Sequence, residues 1–283
     1  MTPIATHASG SFGLVPLNPT IGGEVTGLDL RKPLGEETRT ALRAALSDRK
    51  VLFFREQDLG VVEFEDLCGV FGEPFVHPTM PRLPESPYIN PVATEHGPAK
   101  DWHIGGPWRT NPFVAELLQL KITPPTGGDT MWADLQAAYR ALSAPLRRLF
   151  DELSAVYLGN PAQYSPTTRT DAGERQEVEH PLVIDHPETG ERGLYYSTSA
   201  VRIPGLSFPE QDAVQRLLLQ HATQPRFVVR HRWRPGDIAV WDNRAVWHSA
   251  VDDYGDAPRL GWHASVVADW RPGKAASGAS VDA

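Results

Sequence analysis

Apolar positions along this chain recur with two different periods. In "GEETRTALRAALSDRK", residues 35–50, Leu42, Ala45 and Leu46 fall at helical spacing among charges, which predicts an amphipathic helix. "VLFFR" follows as a compact apolar strand, and "GVVEFEDLCGVFG" predicts a second helix that ends near Gly72. "LQAAYRALSAPLRRLFDEL" is helical again, with Pro145 opening a further helix behind Ser143 as its cap. "FVAELLQLKI", residues 113–122, fits helix or strand, because its apolar run is almost unbroken.

The C-terminal third switches to β patterning. "RFVVRHRWRPGDIAVWD" reads as two β-rich runs around an "RPGD" turn, as in a hairpin, and "RLGWHASVVAD" as another strand. Residues 159–193 hold prolines, glycines and charges without periodicity, so a lid or insertion is expected there. Residues 1–10 are small and polar and are expected to be flexible, and 272–283, rich in Gly, Ala and Ser, to be a disordered tail. With no repeat and no composition break, 11–271 reads as a single domain: mainly β, antiparallel, with helices packed outside the sheets.

Composition narrows the partners. A chain of 283 residues is ample for a sizeable core. The net charge of −8 argues against a nucleic-acid polymer and against a basic membrane-docking face. No signal peptide is visible, and no apolar stretch is long enough to span a bilayer. The one cysteine, Cys68, cannot form an internal disulfide, which suits the cytoplasm, and its apolar setting suits a buried structural residue. A small-molecule partner is expected, and self-association is left open.

Ten histidines are present, and His7, His96, His180, His186 and His221 lie in loose or polar surroundings. His103 and His248 differ. His103 follows Trp102 and precedes the bend Gly105-Gly106-Pro107; His248 stands just past a strand end in "WDNRAVWHSAV". Imidazole suits Fe, Zn, Cu and Ni, and two imidazoles from remote strands make half a metal site.

"TGGDTMWADLQAAYRALS" and "RPGDIAVWDNRAVWHSAVDDYGDAPR" resemble the TauD/TfdA type of Fe(II)- and 2-oxoglutarate-dependent oxygenases. The resemblance runs from "LVPLNPTIGGEVTGLDLRKPL" to "ASVVAD". It implies a double-stranded β-helix (jelly roll) core carrying outer helices, with Fe(II), 2-oxoglutarate and O2 as reactants. His103 and His248 match the two histidines of the family's two-His-one-carboxylate metal site; its aspartate position falls on Gly105. Arg259 and Thr130 match the pair that grips 2-oxoglutarate, a task for which a planar guanidinium fork is suited and Lys is not.

Without a side chain, Gly105 is expected to leave a space and an uncompensated positive charge beside the metal, which chloride or bromide would fill. That resembles the nonheme iron halogenases and implies radical halogenation of an unactivated C–H bond in a small metabolite. The alternatives are a hydroxylase or desaturase with water in that space, a ligand-binding protein without catalysis, or a substitute acid such as Asp101 or Glu95. On the substrate side, His77 in "FVHPTMP" matches a sulfonate-binding histidine of the taurine-using members. The arginine and tyrosine positions of that clamp fall on His263 and Met80, so taurine is not expected as substrate. Trp108, Trp247 and Trp262 are candidates for an aromatic wall, and Arg109, with Arg169 and Arg175 in the loop, for contact with an anion.

Overall fold

The computed structural model describes residues 12–78, 80–97, 99–159 and 176–273. The N-terminal half begins with β1 (Gly13–Pro16), β2 (Gly23–Thr26), α1 (Glu36–Arg49), β3 (Val51–Phe54), α2 (Val61–Phe71), β4 (Glu73–Pro74) and β5 (Asn90–Ala93). In α1 the apolar stripe at Leu42, Ala45 and Leu46 is buried, and Lys50 ends the helix in a left-handed conformation with its N–H on the Leu46 carbonyl. In α2, Phe64, Leu67 and Cys68 are buried; burial pushes the Cys68 thiol far up, so it is an inert core group.

The ambiguous run "FVAELLQLKI" forms β6 (Ala115–Ile122). β7 (Thr130–Asp134) leads into α3 (Leu135–Ala141), where Asp134 caps the helix by accepting from the Gln136 and Ala137 N–H groups. α4 (Ala144–Glu152) starts behind Ser143 as expected, although the Ser143 hydroxyl makes no capping hydrogen bond. Then come β8 (Ser154–Gly159), β9 (Gln176–Pro181), β10 (Val183–Asp185), β11 (Arg192–Leu194), α5 (Phe208–Ala222), β12 (Val228–His231), β13 (Ile238–Asp242), β14 (Val246–Ala250) and β15 (Leu260–Val267).

Two expectations change here. Residues 176–193, which show no periodicity, are nonetheless largely regular: β9 pairs with β8, and β10 with β11. Arg169, Arg175 and the tail from 274 lie outside the described residues. The two runs around "RPGD" are strands, but they do not form a hairpin. β12 pairs with β7, whereas β13 pairs with β3 and β6 in the other sheet. A Pro-Gly bend serves a crossover between sheets as readily as a hairpin, so local turn chemistry does not distinguish them.

The larger sheet runs β1-β2-β3-β13-β6-β15-β4, with β5 on β15; β12-β7-β14 forms the opposing one. Alternation along the strands sorts the side chains. Leu52, Phe54, Leu117 and Val266 face outward beneath α1 and α2. Phe53, Leu118, Leu120, Trp132 and Trp241 face inward and fill the space between the sheets. This is the double-stranded β-helix, with helices outside. Among the described residues, no helix is long and apolar enough to cross a membrane.

Candidate active site

The two histidines meet through backbone pairing. His103 donates its N–H to the His248 carbonyl at 3.1 Å, and His248 returns the bond at 3.0 Å. Such an antiparallel pair places both side chains on one face, here the inner one. The imidazole centroids are 4.0 Å apart. His103 Nδ1 lies 2.6 Å from the Asp101 carbonyl, which can only accept, so Nδ1 carries a proton and Nε2 is the ring atom left to serve as a ligand. Burial, and then the neighbouring His103, push the His248 pKa well below the ordinary value, so the His248 ring is neutral near pH 7.

Gly105 lies two residues beyond the paired His103. Its N–H donates to Asn243 Oδ1 at 3.1 Å, an oxygen that also accepts from Trp241 Nε1 at 3.2 Å. The space expected beside Gly105 is filled. A Cβ at this position would fall 2.4–2.6 Å from the three carboxylate atoms of Glu116. The glycine is needed for close approach, whereas at Gly106 the backbone itself is left-handed, at φ +63°.

Glu116 was missed in the sequence. The available signal was an acid on the inward side of the apolar run "FVAELLQL", flanked by Leu118 and Leu120. Its Oε1 accepts from the Ser265 hydroxyl at 3.2 Å and lies 3.4 Å from His263 Nε2. Oε2 is buried, lies 3.6 Å from His248 Nε2, and accepts no hydrogen bond from a described residue. Burial pushes the carboxyl up, but contact with His263 and the charges of His263, His248 and His103 outweigh it and hold the pKa at about 2. The other two acids considered, Asp101 and Glu95, are exposed.

Arg259 and Thr130 come together at the same end. Arg259 is buried at the entry to β15, anchored by its N–H to Thr94 Oγ1 at 2.8 Å. Its Nε reaches the carbonyl of Gly128, two residues before Thr130, at 3.4 Å. Among the described residues, no carboxylate lies within ion-pair distance of Arg259. Burial alone lowers its proton affinity, as for a guanidinium awaiting an anion. Thr130 is buried and accepts from Trp233 Nε1 at 2.9 Å.

The substrate candidates divide by strand face. His263 and Ser265 point inward on β15, so Trp262 points outward, where it packs against Phe64 and under Lys121 Nζ at 4.0 Å. Trp247 likewise faces away from His248 and donates its Nε1–H to the Tyr196 carbonyl. Neither tryptophan belongs to the site. Trp108 does approach His77, at 6.1 Å between rings, and the Arg109 guanidinium lies 4.2 Å over Phe75. His77 is buried, and its Nδ1 accepts from the Met80 N–H at 3.2 Å. Its pKa falls to about 4, first through burial, then through the charges of His263 and Arg109, with Glu116 opposing. His77 therefore binds its proton near the ordinary value in the unfolded chain but only near 4 in the folded one. Unfolding between those pH values takes up an extra proton, so stability falls as pH drops through that window. The His77→Gln apoprotein is expected to take up about one proton fewer on unfolding near pH 5, as read from the slope of unfolding free energy against pH.

Among the described residues, His186, Glu188 and Asp242 are the group of three whose ligand atoms all lie within 4.8 Å of one another; His103, His248 and Glu116 are less closely grouped. In the former group Arg244 already supplies the positive charge, bonding Asp242 at 2.6 Å and Glu188 at 2.7 Å.

The jelly roll with a pair of inward-facing imidazoles, His248 buried and His103 half-buried, fits an oxygenase of the 2-oxoglutarate-dependent class. The profile described as "Taurine catabolism dioxygenase TauD, TfdA family" matches residues 14–265, and the chain belongs to that family of enzymes. It is 36% identical over 258 residues, 87% of this chain and 86% of the relative, to an alpha-ketoglutarate-dependent sulfate ester dioxygenase of Pseudomonas putida. It is 33% identical to an alkylsulfatase of Acinetobacter baylyi, over 92% of this chain and 86% of the relative. A crystal structure titled as a putative alpha-ketoglutarate-dependent taurine dioxygenase from Burkholderia xenovorans superposes with TM-score 0.82 at 35% identity, covering 92% of this chain and 94% of that one.

Proposed function

We propose that this dioxygenase uses Fe(II) and 2-oxoglutarate to hydroxylate a small organic anion, and that the anion is an alkyl sulfate ester. The observation that carries the class of reaction is the pairing of two inward-facing imidazoles with a buried arginine that has no carboxylate partner among the described residues. His103 and His248 would hold the metal, and Arg259 with Thr130 the distal carboxylate of 2-oxoglutarate. When bound, the metal and 2-oxoglutarate activate O2, so that one oxygen atom enters a C–H bond and succinate and CO2 are released.

The chain's own residues do the rest. The Asp101 carbonyl fixes the His103 tautomer. The inward wall of Leu118, Trp132 and Trp241 keeps water away from the reacting carbon. Arg109, held over Phe75 and beside Trp108, offers the substrate anion a cation. His77, neutral near pH 7, offers hydrogen bonding without charge.

The halide reading is not retained. The space it required at Gly105 holds the Glu116 carboxylate, and the relatives bear dioxygenase and sulfatase names. The sulfate ester rests on those relatives and on Arg109 within its aromatic frame. Hydroxylation of the carbon bearing the ester oxygen gives an unstable product. Its hydroxyl proton leaves, the C=O forms, the C–O bond to sulfate breaks, and an aldehyde and hydrogen sulfate separate.

The test supplies the protein with Fe(II), 2-oxoglutarate, O2 and a medium-chain alkyl sulfate. Aldehyde, sulfate and succinate are expected in equal amounts, with no chlorinated product in added chloride. Taurine, without its arginine partner, is expected to be turned over about 10–100-fold less efficiently, the worth of one charge-assisted hydrogen bond. Succinate formation that no alkyl sulfate stimulates would refute the substrate, leaving the class of reaction intact.

A further inference from the structure

We propose that Glu116 is the third protein ligand of the metal, its carboxylate having moved from the position of residue 105 to the neighbouring strand β6. The proposal rests on the Fe(II) reading above, but on separate observations. The carboxylate of Glu116 occupies the volume into which a side chain at 105 would grow, and residue 105 has none. The two are steric complements: an acid reaching in from β6 requires a glycine opposite.

The carboxylate is held as a ligand is held. One oxygen, Oε1, is fixed by Ser265 and His263; the other, Oε2, is buried without a hydrogen-bond partner among the described residues and faces His248 Nε2 at 3.6 Å. Two ligand atoms that share one ion at about 2.1 Å each stand roughly 3–3.6 Å apart. A buried carboxylate oxygen with no donor is costly unless something completes it. A cation bound at Oε2 and His248 completes it, and the Glu116 carboxylate supplies the negative charge that imidazole ligands lack.

The competing explanation is that Glu116 is only an ion-pair partner for His263. Metal affinity separates the two. Mn(II) and Co(II) are titrated calorimetrically into the metal-free wild type and into Glu116→Gln and Glu116→Ala, with thermal melts of each apoprotein. For Glu116→Gln, which keeps shape and loses charge, Mn(II) affinity is expected to fall about 100-fold or more, the effect of losing a ligand rather than a supporting group. The Co(II) absorption spectrum is expected to change with the donor set. In Glu116→Ala, added formate is expected to restore part of the affinity by entering the vacated place, which a merely structural role does not predict. Wild-type Mn(II) affinity retained in both variants would overturn the proposal and leave the Fe(II) reading standing. Failure of the wild type itself to bind Mn(II), Co(II) or Fe(II) would overturn both.

Discussion

Gly105→Asp is expected to damage this protein, although it writes the family's usual aspartate back into the sequence. Its Cβ would lie 2.4–2.6 Å from the Glu116 carboxylate, inside van der Waals contact, and its charge would meet a second buried carboxylate. β6 cannot withdraw easily, because it is paired on both sides, with β13 through Trp241 and with β15 through Ser265. Overpacking of this kind costs about 1–3 kcal/mol before the like charges are counted. A loss near the upper end lowers the melting temperature by roughly 6–12 °C for a domain of this size. Mn(II) affinity is expected to fall in the same protein. The compensating double variant, Gly105→Asp with Glu116→Ala, removes the clash and returns one carboxylate to the site. It is expected to recover both the melting temperature and most of the metal affinity. A single Gly105→Asp protein with wild-type stability and affinity would show that Glu116 is free to swing away.

Arg259→Leu is expected to separate stability from cosubstrate binding. The wild-type guanidinium is buried without an anionic partner among the described residues, a cost to the apoprotein that the leucine avoids. The apo variant should therefore melt at least as high as the wild type. Its affinity for 2-oxoglutarate should fall about 100-fold or more, because two charge-assisted hydrogen bonds worth about 1.5–3 kcal/mol each are lost. The rise in melting temperature that 2-oxoglutarate gives the wild type in the presence of Mn(II) should vanish. Arg259→Lys keeps the charge but not the fork and should recover only part of the affinity. A 2-oxoglutarate-induced shift of wild-type size in Arg259→Leu would remove Arg259 from the binding site.

Helices α1 to α4 and strands β3, β12, β13 and β15 were legible, because each carries its own local signal, an amphipathic period or, in β3 and β13, a short apolar run buried throughout. The partners of β12 and β13 were not, since a Pro-Gly bend is compatible with one sheet or two. Trp262 and Trp247 sit beside His263 and His248 in the chain yet face away from them, because neighbouring residues on a strand point to opposite sides. The same alternation turns His263 and Glu116 inward.

The sequence by itself determined the family pattern, the two histidines, the Arg259–Thr130 pair and the absence of an acid at 105. These are local matters of residue type and spacing. Only the tertiary structure decided what that absence means. Glu116 and Gly105 belong to different segments, and pairing of β6 between β13 and β15 brings the carboxylate across the interior to the glycine. A missing side chain reads as a vacancy in one dimension. In three it is the clearance that lets another strand's carboxylate in.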